Sequence, residues 1–423
     1  MSGSRDPAVS LATNRPAQGL EKGNKKWRRF DREIQMARLR VLFVTVDYPP
    51  LIGGMSEHAY GIVKGLRDQG EEVFVLAPRP DGALRGDSIR SEERIYRYPL
   101  LNSPILRILV LSYFILMLLL RHRIRVVLNN TWSPCGISTY LVSRLLRIHY
   151  FIHAHGLDVL EPRRSAFWRS WMIRVMRHSD RILPVSRFTA EKILRLGIPK
   201  EAVTILSNGI DPARWLESKK SSGLLQRDSL QGKRIILSVS RLVKRKGHDL
   251  ILRAVERLSG EFPDLVYLIV GDGPERERLE SLAKGLHLDG RVIFTGYVKS
   301  EDLPAIYSAC DLFVLTPAEI RDQGDVEGFG IVFLEAGIMG KAVIGSRSGG
   351  IEDAVAHEQT GLLIPSGDQD ALEQALRTLL HERAYCSQLG QNGKERVLKD
   401  YTWSRVAAHL RTIISCHAGQ RGK

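Results

Sequence analysis

From residue 39 onward, short apolar runs rich in β-branched residues alternate with longer stretches of helical period. The runs 39–46, 72–77, 125–128, 150–153 and 181–185 read as buried parallel strands, because both faces are apolar. Between them, 56–69, 104–120 and 136–147 read as helices. A polar, turn-forming stretch at 211–232 interrupts the pattern and reads as a linker. A second series then begins, with strands at 234–239, 265–270, 291–294, 312–315 and 342–345. Its helices fall at 248–258, 274–286, 301–309, from about Ile331, and at 370–380. Each series is a βαβ succession, which predicts a parallel sheet with helices on both faces. The fold class is therefore α/β, with two facing Rossmann-like domains and a cleft between them. The boundaries expected are an N-terminal tail at 1–38, a first domain at 39–210, the linker at 211–232 and a second domain at 233–400. A C-terminal helix and tail at 401–423 could cross back to the first domain.

A chain of 423 residues is too long for one ordinary core, which agrees with two domains. Its four cysteines, Cys135, Cys310, Cys386 and Cys416, show neither C-x-x-C spacing nor a nearby histidine at ligand spacing, so no structural zinc is expected and a reduced cytosolic compartment is the simplest reading. The net charge of +15 sits entirely in the first half: residues 1–210 carry 33 Lys+Arg against 18 Asp+Glu, and 211–423 carry 29 of each. Charge alone does not choose among nucleic acid, an anionic membrane and an acidic substrate. Three segments narrow the choice. The thirteen uncharged residues 108–120 are too few to span a bilayer and read either as a buried helix or as an interfacial one flanked by arginines. The stretch 163–177 interleaves Trp168 and Trp171 with five arginines, a membrane-surface pattern as well as an ordinary surface helix. The tail through Arg38, with its basic cluster at 25–29, reads as disordered and as an electrostatic tether.

The candidate chemistry gathers at the C-terminal ends of the strands, where ligands bind in open α/β sheets. Arg241 and Lys246, the latter before Gly247, suit a diphosphate. Glu327 and Glu335 flank Gly328-Phe329-Gly330, which reads as a turn feeding a helix start whose free amides favour an anion. Gly53 and Gly54 follow the first strand and permit close backbone approach, and His155-Gly156 ends another first-domain strand. Asp368-Gln369-Asp370 spells a metal-binding D-x-D but precedes a helix, so capping explains it better.

In that order, Pro-Pro-x-x-Gly-Gly at 49–54, His155-Gly156, Asn208-Gly-Ile-Asp211, Arg241 with Lys246-Gly247, Gly271-Asp-Gly-Pro274, Glu327-Gly-Phe-Gly330 with Glu335, and Gly349-Gly-Ile351 resemble the retaining glycosyltransferase family 4, of the GT-B fold. The resemblance covers about residues 39–410. It implies metal-independent transfer of a hexose from a nucleotide-sugar donor with retained configuration, and no cofactor beyond that co-substrate. By the same resemblance, Arg241 and Lys246 hold the diphosphate with the amides of Phe329, Gly330 and Ile331. Glu327 orients the donor sugar, Glu335 meets the ribose, Gly53 and Gly54 approach the diphosphate and the acceptor, and His155 binds the sugar. The loop 317–326 is similar to that of the branch acting on lipid-linked acceptors such as phosphoinositol mannosides. A glycan or lipid-linked acceptor, and a peripheral place at the inner face of the cell membrane, are the corresponding expectations. A GT-B epimerase or phosphorylase is the alternative, and a nucleic-acid-binding protein finds no motif in its support.

Overall fold

The computed structural model describes residues 38–51, 53–80, 94–160, 165–217, 230–318 and 326–418. The basic cluster at 25–29, Arg163, and most of the loop 317–326 lie outside them.

Two six-stranded sheets, parallel throughout, make up the architecture. The first runs β3-β2-β1-β4-β5-β6, from β1 (Arg40–Val44), β2 (Glu72–Pro78), β3 (Ile95–Tyr98), β4 (Val126–Asn129), β5 (His149–Ala154) and β6 (Arg181–Pro184). The second runs β12-β11-β10-β7-β8-β9, from β7 (Arg234–Val239), β8 (Leu265–Val270), β9 (Val292–Gly296), β10 (Leu312–Leu315), β11 (Ala342–Ser346) and β12 (Gly361–Ile364). Strand order turns back beside β1 in one sheet and beside β7 in the other. At such switch points neighbouring loops diverge and leave a crevice at the strands' C-terminal ends.

Each sheet is sandwiched between apolar helix faces. On one side of the first sheet, helices Pro104–His122, Ile137–Ser143 and Ala166–His178 cover Leu42, Val44, Leu76 and Val127. On the other side, Gly54–Asp68 and the C-terminal helix Trp403–Ala418 cover Val41, Phe43, Val75 and Leu128. The last helix thus packs on the first domain, and its chain returns along residue 210: Ile210 donates to the Tyr401 carbonyl at 2.7 Å and Trp403 to that of Ile210 at 3.1 Å.

Several expectations shift. The stretch 136–147 is helical only over Ile137–Ser143, behind a π-type turn at Trp132–Gly136. The expected linker opens with a short helix, Pro212–Leu216, capped by Asp211 and anchored by buried Trp215. The 104–122 helix is neither wholly buried nor wholly outward. Leu111, Ile115, Leu118 and Leu119 are in the core while Ile105, Leu109, Tyr113 and Leu120 are exposed. By length and composition it could cross a membrane. Trp168 and Trp171 pack against the core of the first domain, so on the 166–178 helix the outward aromatic is Phe167.

Candidate functional site

After β7 the chain makes a one-turn 3₁₀ helix, Lys244–Lys246, and enters helix His248–Leu258 through Gly247 at φ 71°. A Cβ there would overlap the Thr316 carbonyl, so this basic turn lies directly against the end of β10. That contact turns Lys246 inward, 8 % exposed. Its Nζ donates to Glu327 Oε2 at 2.5 Å, and Arg245 donates to the same oxygen at 2.9 Å. Burial opposes ionisation of Glu327, but the two cations outweigh it and hold the carboxyl at about 2. It is therefore a carboxylate at any physiological pH.

Arg241, three residues before this turn, stays exposed, and among the described residues its side chain pairs with no carboxylate. The inward arginine, Arg245, was not singled out from the sequence. Three consecutive cations at 244–246 carry no period that tells which one turns in.

Gly330 starts helix Ile331–Ile338 at φ 85°, with no side-chain cap on its first-turn amides. Phe329 is 2 % exposed in the second-domain core, so only its backbone groups can face the cleft, and half-buried Ile331 packs against the same core. Glu335 turns toward a different neighbourhood. It accepts the Tyr307 hydroxyl at 2.8 Å, and burial pushes it up to about 7 against the opposing Tyr307 bond and Arg214. Arg214 in turn pairs with Glu57 of the first domain at 3.0 Å. The two glutamates thus occupy different pockets.

From the first domain, His155-Gly156 meets the second directly. Gly156 sits at φ 102°, and a Cβ on Gly328 would overlap the His155 carbonyl oxygen. The two loops therefore touch backbone to backbone, which brings His155 to the segment that carries Glu327. A second link closes the same side: Arg187 pairs with Asp353 at 2.6 Å.

His155 Nε2 lies 3.0 Å from the Asn130 carbonyl and 3.1 Å from its Oδ1. Both are acceptors, because Asn130 Nδ2 donates to Thr45, so Nε2 carries the proton and Nδ1 keeps its lone pair. Burial lowers His155 to about 4, and the ring is neutral. Two further histidines support it. His58 meets His155 edge-on at 4.8 Å and contacts His153 at 3.1 Å through nitrogen, while Asn208 holds its other nitrogen at 2.7 Å. His58 gave no signal in the sequence beyond its place in a helix.

Gly53 and Gly54 open helix Gly54–Asp68. No side chain caps it, and a Cβ on Gly54 would meet nothing within 4 Å, so the helix start borders open space at Gly54. Asp368 accepts from the Ala371 amide at 2.9 Å as the cap of helix Gln369–His381. Among the described residues no group of His, Cys, Asp or Glu could hold a metal ion.

The arrangement offers paired cations and uncapped amides for a polyanion, one permanent carboxylate between them, and a neutral histidine acceptor opposite. Comparison with known proteins gives a consistent picture. Residues 226–396 match the model described as Glycosyl transferases group 1, and 52–214 match Glycosyltransferase Family 4. The GDP-mannose-dependent alpha-(1-6)-phosphatidylinositol monomannoside mannosyltransferase of Mycolicibacterium smegmatis is 31% identical over 386 residues, covering 89% of this chain and 98% of that one. Among solved structures, Anabaena HepE in complex with UDP superposes with a TM-score of 0.74 at 21% identity, over 89% of this chain and 100% of the other. Sucrose-phosphate synthase from Thermosynechococcus elongatus gives 0.74 at 21%, over 89% and 98%.

Proposed function

Starting from the fact that the chain belongs to glycosyltransferase family 4 and has the GT-B fold, we propose that it moves mannose from GDP-mannose to a lipid-linked acceptor with retained configuration. The observation that carries this reading is the Lys246–Glu327–Arg245 cluster, set where the two domains touch. The donor and acceptor classes follow the relative from Mycolicibacterium smegmatis, which by its name is GDP-mannose-dependent and acts on a phosphatidylinositol monomannoside.

In this mechanism Lys246, Arg245 and Arg241 take the donor diphosphate, with the Gly330 and Ile331 amides and, from across the cleft, those of Gly53 and Gly54. Negative charge grows on the β-phosphate as its bond to the anomeric carbon breaks, and preorganised donors stabilise that charge most effectively. The acceptor hydroxyl forms the new bond on the same face of the sugar and passes its proton to the departing phosphate oxygen. Glu327, ionised at about 2, cannot serve as a proton donor. It accepts hydrogen bonds from sugar hydroxyls, as does His155 Nδ1. Glu335 receives the ribose diol. No side chain acts as nucleophile, and no metal takes part.

Thermal denaturation with GDP-, UDP- and ADP-sugars tests the donor, since a ligand raises stability with its occupancy. Stabilisation by GDP-mannose, with product formed only when a lipid-linked acceptor is added, is the expected result. Preference for another base, or no response to any nucleotide sugar, overturns the assignment. Conversion of the donor without acceptor would instead identify an epimerase.

A further inference from the structure

The outer surface of the first domain combines two properties that ordinary soluble surfaces do not share. On the 104–122 helix, Ile105 is 69% exposed, Leu109 56%, Tyr113 64% and Leu120 61%. At about 100° per residue these four fall within roughly 80° of one another, on the side away from buried Leu111, Ile115 and Leu118. Leu145 and Phe167, 74% and 62% exposed, extend the patch over the neighbouring elements. Among the described residues of the second domain, Tyr297 at 57% is the one large hydrophobic comparably exposed, so the patch belongs to the first domain.

The same elements have no acidic residue. Residues 104–150 and 165–178 contain nine arginines and neither Asp nor Glu. Arg121, Arg123, Arg144, Arg169 and Arg174 are exposed. An apolar helix face beside exposed arginines, on elements that carry no carboxylate, is the combination that an anionic bilayer satisfies, with acyl chains for the one and phosphates for the other. A second copy of this face would set arginines against arginines, and nucleic acid would leave the apolar ladder unmatched.

Topology fixes the orientation. Helix 104–122 follows the C-terminal end of β3, so its exposed N-terminal turns, with Ile105 and Leu109, stand at the cleft edge of the sheet. Its arginine-rich end lies at the opposite edge.

We propose that the outer face of helices 104–122 and 166–178 is an insertion surface for anionic membranes, seated so that the cleft opens at headgroup level. The surface deepens the reading of a lipid-linked acceptor and rests on it for purpose, but not for its own test.

Flotation of the full chain with phosphatidylcholine vesicles, with and without 30% phosphatidylglycerol, measures it. Recovery is expected with anionic vesicles only, and to fall with salt. Arg121→Glu with Arg123→Glu should weaken partitioning at least about 25-fold, at roughly fivefold per arginine, and Leu109→Glu with Tyr113→Glu more than about tenfold. Stabilisation by GDP-mannose serves as the control for the cleft and should be unchanged in every variant. Flotation lost with that response kept establishes the surface. Equal recovery on neutral vesicles, undiminished flotation of either variant, or a dimer that the Leu109→Glu/Tyr113→Glu variant dissociates would overturn it. Flotation without any nucleotide-sugar response would leave the surface standing and refute the donor reading alone.

Discussion

Glu327→Gln separates the structural debt of the cation cluster from its chemical use. The carboxyl is held at about 2, against an ordinary glutamate value of 4.5. That difference corresponds to about 3 kcal/mol of net preference for the ionised form in the fold. Unfolded chains take up the proton near 4.5 and the folded one only near 2, so the contribution is complete above about pH 4.5 and disappears as pH falls through 2. Gln keeps the shape and part of the hydrogen bonding but leaves Lys246 and Arg245 without their carboxylate. The ligand-free variant should therefore melt roughly 6–12 °C lower at pH 7, taking 2–4 °C per kcal/mol for a domain of this size. The gap should narrow when the melts are repeated at pH 3. Affinity for GDP, measured calorimetrically, should rise by about tenfold, because the cations no longer choose between Glu327 and a phosphate. Transfer should fall at least about 100-fold. An unchanged Tm, or weaker GDP binding in a folded variant, would refute the idea that these cations serve both partners.

Other consequences are independent of that experiment. Lys246→Ala should lower transfer by about 10²–10³ and weaken GDP binding, in contrast to Glu327→Gln, and near-normal turnover would contradict the role given to Lys246. His155→Phe removes the Nδ1 acceptor and should raise the donor KM about tenfold while GDP without its sugar binds as before; equal weakening of both ligands would place the histidine elsewhere. His153 and His248 are lowered by burial to about 3, and His155 to about 4. The stability they contribute is present above pH 6.5 and lost as pH falls toward 4–3, at about 2 kcal/mol for each by pH 5. A melting series flat between pH 7 and 5 would contradict this. Trp403→Ala empties the slot between Gly61 and Gly209 in which the indole is seated, and should cost about 3–5 kcal/mol, read as a fall in urea midpoint. A smaller loss would mean the C-terminal helix holds without its anchor.

Strands buried on both faces announce themselves by continuous apolar runs, which is why the interior of each sheet could be read from residues alone. Of the four edge strands, β6 and β9 could be read in the same way, but β3 and β12 could not. β3 carries Arg97 in a four-residue run at the sheet edge, and β12 begins with glycine, so neither shows the apolar continuity that marks its neighbours. The site divides in the same way. Residue types and loop positions pointed to Lys246, Glu327 and His155, since polar groups at strand ends have few structural reasons to be there. What residue types could not encode is which of several equivalent side chains turns inward. Arg245 was hidden among three consecutive cations, and His58 inside an amphipathic helix.

The paired glutamates show why that information is tertiary. Glu327 and Glu335 are the same residue eight positions apart, and both are largely enclosed, yet one is held at about 2 and the other at about 7. Burial acts on both in the same direction. The difference comes from what each finds there: two cationic groups on a turn pressed against β10 for Glu327, a single tyrosine hydroxyl and a more distant arginine for Glu335. A carboxyl at about 7 changes its protonation with whatever approaches it, and the ribose hydroxyls proposed for that position would draw it toward the ionised form. Donor binding should then release a fraction of a proton from Glu335 near pH 7. In calorimetry, the apparent heat of GDP binding should shift between buffers of different ionisation enthalpy, and Glu335→Gln should abolish that shift. Buffer-independent heats in the wild-type protein would mean that Glu335 does not meet the nucleotide.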